Sequence, residues 1–185
     1  LRGIGPHLAK KIVGIYKERA LEMIDRSPDV LLHIRGIGPH RLAKVRESWR
    51  EQKEIRQIML FLHELGIGSG SRAVRIYKTY GQDAVAQIRA NPYRLADDVR
   101  GIGFKTADQL AGRLGIDPQS PARARAAVRY ALQQLSREGH CGFPEQGVLE
   151  KTQQLVGIEL TLLEDAVAAE LAAGTLVREP VEDGS

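Results

Sequence analysis

Ile34-Arg35-Gly36-Ile37-Gly38 and Val99-Arg100-Gly101-Ile102-Gly103 follow one pattern: an apolar residue, an arginine, then glycine, isoleucine and glycine. Glycine-isoleucine-glycine also stands at 3–5 and 66–68, so the chain holds four copies, spaced 33, 30 and 35 residues apart. Each copy is followed by a run that reads as a helix. Glycine permits positive φ in the turn, and its missing Cβ lets a ligand reach the backbone. A two-glycine turn that opens onto a helix start gathers unbonded N–H groups at the positive end of the helix dipole. That surface suits a phosphate. Arginine precedes three copies (Arg2, Arg35, Arg100), whereas Leu65 precedes the third, which continues with extra Gly and Ser. The third copy is expected to be a degenerate turn kept for packing.

The copies belong to a larger repeat. Ala20, Ile24, Pro28 and Leu31 match Ala84, Ile88, Pro92 and Leu95 at an offset of 64. Ile15-Tyr16-Lys17 is read as recurring at Ile76-Tyr77-Lys78. Ser27-Pro28 and Asn91-Pro92 are helix starts, with a capping residue followed by Pro at the first helical position. From Pro28, Leu31, Leu32 and Ile34 are expected to turn toward a core. A helix from Pro39 should bury Leu42, Val45 and Trp49, and a separate one over 51–65 should bury Ile55, Ile58, Met59 and Leu62. After Gly103 a helix to about Leu114 places Ala107, Leu110 and Ala111 inward.

Composition shifts at Asp117-Pro118 and Ser120-Pro121. A helix from Pro121 to Arg137 is expected, then a short strand at 140–143. A helix should run from Pro144 to about Val156. A third is expected from Thr161, where Thr161 and Glu164 form a capping box, and a strand at 175–179 closes the order. Three helices and a hairpin suggest a winged-helix-like domain. The expected fold class is therefore mainly α, with tandem units at 1–50 and 51–116 and a small winged-helix-like α+β domain at 117–185.

Charge divides the chain in the same way. The net +4 conceals 21 Lys+Arg against 12 Asp+Glu in 1–113, and 6 against 11 in 114–185. A basic part carrying all four glycine turns has the sign pattern of a nucleic-acid binder joined to a segment with another task. No apolar run approaches 18 residues, which excludes a helical membrane span. A single cysteine, Cys141, argues for a reducing, cytoplasmic setting. One Cys beside His140 is not a zinc site. Leu1 and the abrupt first motif suggest a piece of a longer protein.

Two helices joined by a hydrophobic-x-Gly-hydrophobic-Gly turn form the helix-hairpin-helix motif. The residues expected to meet a DNA backbone are Gly3, Gly5, Arg35, Gly36, Gly38, His40, Arg41, Lys44, Arg100, Gly101, Gly103, Lys105 and Thr106. Arg2, His7, Lys10 and Lys11 lie beside them. The glycines expose backbone N–H groups, the Lys and Arg side chains add Coulomb attraction, and Thr106 and the histidines are placed to donate hydrogen bonds. No base-reading element is apparent, so binding is expected to be independent of sequence. The five tyrosines and Trp49 read as core rather than as stacking platforms. No catalytic residue, metal ligand or Gly-x-x-x-x-Gly-Lys-Ser/Thr phosphate loop is found. Asp108 and Asp117 sit at the wrong distance from the hairpin for a glycosylase aspartate.

The runs from Gly3 to Val13 and Asn91 to Ala96, with Arg100-Gly-Ile-Gly-Phe-Lys-Thr-Ala-Asp108, resemble RecD-like ATP-dependent DNA helicases. These are relatives of the exodeoxyribonuclease V alpha subunit, which acts in DNA repair and recombination. The similarity covers nearly the whole chain, including Glu138-Gly-His-Cys141. It implies a 5′-to-3′ helicase that uses ATP and Mg²⁺ in motor domains of the same chain, with no catalytic position and no cofactor in the present residues. Two other readings remain open: a protein-interaction scaffold whose hairpins serve only as turns, and the binding module of another DNA-repair enzyme.

Overall fold

The computed structural model describes residues 2–68 and 70–179. Ten α-helices are found among them: α1 (Pro6–Tyr16), α2 (Ala20–Arg26), α3 (Pro39–Glu64), α4 (Gly70–Tyr80), α5 (Ala84–Ala90), α6 (Arg94–Asp98), α7 (Phe104–Arg113), α8 (Pro121–Arg137), α9 (Glu145–Val156) and α10 (Leu160–Ala172). Short 3₁₀ turns cover Lys17–Arg19, Pro28–His33 and Gly81–Asp83. No strand occurs among the described residues.

The duplication is visible helix by helix. α1 and α4 are each 11 residues long and begin 64 positions apart. α2 and α5 are each seven residues long, and the residues before them, Arg19 and Asp83, share φ −84° and ψ 2°. The structural register is therefore 64 here too, which corrects the expected match at 15–17 and 76–78. Ile76 corresponds to Ile12, and both are buried. Tyr80 corresponds to Tyr16. Each of these tyrosines ties the first helix of its unit to the segment before the next hairpin, Tyr16 through Val30 O (3.2 Å) and Tyr80 through Asp98 Oδ2 (2.7 Å).

The register also exposes a strained position. Lys17 ends α1 at φ 50° and ψ −128°, where the second unit has Gly81 at φ 60°. Side chains are disfavoured there, and glycine is not. Lys17→Gly is expected to raise the unfolding free energy by about 1 kcal/mol, strain relief exceeding the entropic cost of glycine. Urea titration of the two proteins measures it, and a lower midpoint for the variant would contradict the assignment.

Three apolar cores follow one another along the chain. The first gathers Ile12, Ile24, Leu31, Ile34, Ile37, Leu42 and Val45. The second gathers Ile58, Phe61, Leu62, Ile67, Ile76, Ile88, Leu95, Ile102 and Leu110. The third joins Tyr93, Phe104, Ala107 and Ala111 to α8, α9 and α10 through Ala124, Ala127, Val128, Leu149, Leu163 and Val167. Of the side chains expected inside, Leu32 and Met59 are exposed, and Ile55 and Trp49 are half-buried. Phe61 is buried instead of Met59 and carries the Arg89 guanidinium over its ring at 4.8 Å.

The helix expected over 51–65 is not separate. α3 runs unbroken for 26 residues and supplies Leu42 and Val45 to the first core and Ile58, Phe61 and Leu62 to the second. No glycine or proline interrupts 40–64, so nothing in that stretch stops the helix. Its middle is polar and bridges the two cores, as such helices do. Asp25 on α2 braces it, accepting from Trp49 Nε1 (3.0 Å) and Lys53 Nζ (2.6 Å).

The winged-helix expectation is overturned. Neither 140–143 nor 175–179 is extended into a ladder. Their first residues instead close helices. Gly139 N donates to Ser136 O and His140 N to Leu135 O, while Gly174 N donates to Leu171 O and Thr175 N to Glu170 O. Both glycines have positive φ, the arrangement of a Schellman cap. With those backbone groups committed, neither segment pairs as a strand among the described residues. The capping box at Thr161 is also displaced. α10 starts at Leu160 with Glu159 as its cap residue. Gln119 holds the preceding loop, donating to Gly157 O (3.2 Å) and accepting from Glu159 N (3.0 Å).

Candidate nucleic-acid interface

The turns at 36–38 and 101–103 share one geometry. Ile37 N donates to Ile34 O (2.9 Å), and Ile102 N donates to Val99 O (3.1 Å). Gly36 and Gly101 stand at φ 106° and 83°, third residues of four-residue turns that require positive φ. Ile37 and Ile102 are 4% exposed and anchor the turns in the first and second cores. The second glycine of each turn then serves as the N-cap of the next helix, Gly38 for α3 and Gly103 for α7, with extended backbone and no side-chain cap. Gly5 does the same for α1. Three helix starts are thus left without a capping side chain, the state in which first-turn N–H groups can take an outside acceptor.

The turn at 66–68 is built differently. Gly66 N donates to His63 O and Ile67 N to Leu62 O, so Gly66 is the Schellman cap that ends α3. Ile67 remains buried in the second core, in keeping with a packing role.

The hairpins are exchanged in pairs. A Cβ on Gly3 would meet Arg41 O at 3.3 Å and Lys44 Cβ at 3.4 Å on α3, and one on Gly36 would meet Leu8 Cδ2 at 3.4 Å on α1. In the second unit, the Arg113 guanidinium on α7 fills the space beside Gly66, and that of Arg75 on α4 fills the space beside Gly101. Each hairpin thus lies against the helix that follows the other.

In the first unit this exchange makes a basic depression of about 650 Å³ lined by Arg2, Gly3, His40, Arg41, Lys44 and Glu47. A shallower one adjoins it at Gly36, Ile37, Gly38, His40 and Arg41. Six of the residues singled out in the sequence are therefore together: Gly3, Gly36, Gly38, His40, Arg41 and Lys44. Arg41 has a second use, since its Nη1 donates to Gly36 O and braces the turn. Arg35 is exposed beside that turn. Around the fourth hairpin, Arg100, Gly101, Gly103 and Lys105 are exposed and Thr106 is half-buried.

Sequence reasoning missed Arg75, which stands at the fourth hairpin as Arg41 stands at the second. Its Nη1 donates to Arg100 O (2.6 Å) and its Nε to Ser71 O (3.2 Å). The 64-residue register could have found it, for Arg75 corresponds to Lys11. Among the described residues, the side chains of Arg35, Lys44, Arg100 and Lys105 have no carboxylate partner. In 114–179 the balance is reversed: Arg123, Arg125, Arg129, Lys151 and Arg178 are all in ion pairs.

Asp108 does structural work. It accepts from Tyr93 Oη (2.8 Å) and from Arg123 Nε and Nη2 (2.8 and 3.1 Å), joining the second unit to α8. Burial opposes its ionisation, but the bonds from Arg123 and Tyr93 outweigh burial and hold it below the usual carboxylate range. No group of three His, Cys, Asp or Glu gathers as metal ligands among the described residues. No described helix is long and apolar enough to cross a membrane.

Four glycine turns on a duplicated helical frame define a tandem helix-hairpin-helix module, and residues 1–51 match the family described as a SAM-like helix-hairpin-helix tandem. Residues 51–142 match the family described as the ATP-dependent RecD2 DNA helicase HHH domain. Over 170 residues, 89% of this chain, the sequence is 32% identical to the ATP-dependent RecD2 DNA helicase of Deinococcus radiodurans, and it spans 24% of that protein's length. Together these matches support a helix-hairpin-helix region like that of the RecD-like DNA helicases. The match to 142 passes beyond α7 and takes in α8, which shares the third core with Phe104 and Ala107.

Proposed function

We propose that the units at 1–50 and 51–116 bind DNA independently of sequence, through hairpin N–H groups and the lysines and arginines beside them. The observation that carries this reading is the depression where Gly3, His40, Arg41 and Lys44 meet uncapped helix starts. Anionic oxygen is the ligand such a surface favours, and nothing in it is shaped to read a base edge. The parent is proposed to be a 5′-to-3′ DNA helicase with motor domains on the same chain. ATP and Mg²⁺ belong to that motor and are assigned to no residue here.

Fluorescence anisotropy of residues 1–185 with labelled duplex, forked and single-stranded DNA tests the reading. With about four phosphate contacts, the log–log dependence of affinity on salt should have a slope of roughly −3 to −4 on duplex. Affinity should be the same for duplexes of unrelated sequence. Absence of binding to all three DNAs at 50 mM salt would overturn the proposal.

A further inference from the structure

The third hairpin lacks the arginine that precedes the others, yet a guanidinium stands beside its glycine. That group belongs to Arg113, the last residue of α7. The first unit shows what occupies the equivalent place. Aligning Pro39 of α3 with Phe104 of α7 sets Ser48 opposite Arg113, an offset of 65. Ser48 adjoins the first hairpin, its Oγ accepting from Arg2 N at 3.0 Å. At the first hairpin the cation is therefore on the turn (Arg2) and the small polar residue on the facing helix (Ser48). At the third, the turn carries Leu65 and the facing helix carries Arg113. The two positions have exchanged roles, and each hairpin keeps one arginine.

The reason for the exchange lies in the packing. Leu65 ends α3 and packs against the second core, where a charged side chain would be desolvated. Arg113 reaches the same hairpin from outside. It is exposed, and among the described residues it has no carboxylate partner and no hydrogen-bond acceptor. Its five N–H donors remain for an external oxyanion, and a guanidinium presents them as a fork matched to phosphate.

We infer that Arg113 makes the third hairpin a DNA-phosphate contact, supplying from α7 the cation that the turn itself lacks. This rests on the DNA-binding reading above and extends it from three hairpins to four. It also gives the residues at 66–68 a use beyond packing.

Arg113→Gln keeps a polar side chain and removes the charge, while Arg113→Lys keeps the charge. Both are compared with the unsubstituted chain by anisotropy on labelled duplex between 20 and 200 mM salt, with thermal melting by circular dichroism alongside. Removal of one phosphate contact should lower affinity about three- to tenfold at 50 mM salt and reduce the slope of the salt dependence by about one. Arg113→Lys should keep that slope, and Arg137→Gln, on α8, should behave as the unsubstituted chain. If the unsubstituted chain binds and Arg113→Gln retains its affinity and slope, the inference is overturned and the DNA reading stands. If the unsubstituted chain binds none of the three DNAs at 50 mM salt, the reading falls and this inference with it.

Discussion

Replacing Arg35, Lys44, Arg100 and Lys105 together by glutamate is expected to lower duplex affinity at least ~100-fold at 50 mM salt, and to flatten the salt dependence toward zero. Arg35 lies at the second hairpin, Lys44 on α3 against the first, and Arg100 and Lys105 at the fourth, and none is engaged by a carboxylate among the described residues. Their removal therefore breaks no internal ion pair, and reversal of sign turns an attractive surface repulsive. Helix content and melting temperature should stay close to those of the unsubstituted chain, which separates lost binding from lost fold. The weakening should be uniform across duplex sequences, since phosphate contacts carry no sequence information. Affinity retained within threefold would leave the hairpins as turns only and favour an interaction scaffold.

Glu170→Ala is expected to produce the largest loss of stability, about 3–5 kcal/mol. Glu170 is 0% exposed. Its Oε1 accepts from Arg125 Nε and Arg129 Nη1, both at 2.6 Å, and its Oε2 accepts from Thr175. Arg129 continues to Asp97 at 2.9 Å, so the same network ties α10 and α8 to α6. Removing the carboxylate leaves Arg129, 23% exposed, without its anion, the costly case for such pairs, while Arg125, 42% exposed, can turn to water, so the loss falls toward the lower end of that range. Urea denaturation followed by circular dichroism measures the loss, and a change below 1 kcal/mol would contradict the assignment. Burial raises the carboxyl pKa, but the bonds from Thr175 and Arg125 and the charges of Arg129 and Arg125 outweigh it, and the net shift is downward. A depressed carboxylate stabilises the fold above its ordinary value near 4.5 and loses that contribution as pH falls through the lowered folded value. Unfolding should therefore respond to pH more steeply below 4.5 in the unsubstituted chain than in Glu170→Ala.

The parts of the fold that were legible in the sequence rest on backbone chemistry. Gly36 and Gly101 are where a turn needs positive φ, and Ser120-Pro121 is where α8 begins, with Ser120 Oγ accepting from Arg123 N. Periodicity placed Leu42, Val45, Ala107 and Leu110 correctly inside. Failures came where tertiary partners decide. Met59 and Phe61 are both apolar and two residues apart, and only the direction of the second core selects Phe61. The segments at 140–143 and 175–179 have strand composition, but the preceding helices consume their first donors. Arg75 and Arg113 escaped because their nearness to the hairpins arises across a pseudo-twofold exchange. Local spacing holds no trace of that, and only the 64- to 65-residue register carries it.

The uninterrupted α3 gives the module a mechanical property. At 26 residues it is a rod of about 39 Å, advancing about 1.5 Å and turning about 100° per residue. The first basic depression is built on its start, and the third hairpin on its end. The angle between the two hairpin pairs is therefore set by the pitch of a screw and not by the slack of a tether. One residue added or lost near its polar middle would swing one pair by more than a quarter turn relative to the other. If the proposed DNA binding holds, the two pairs could then no longer follow one backbone in phase, even with every proposed contact residue still present.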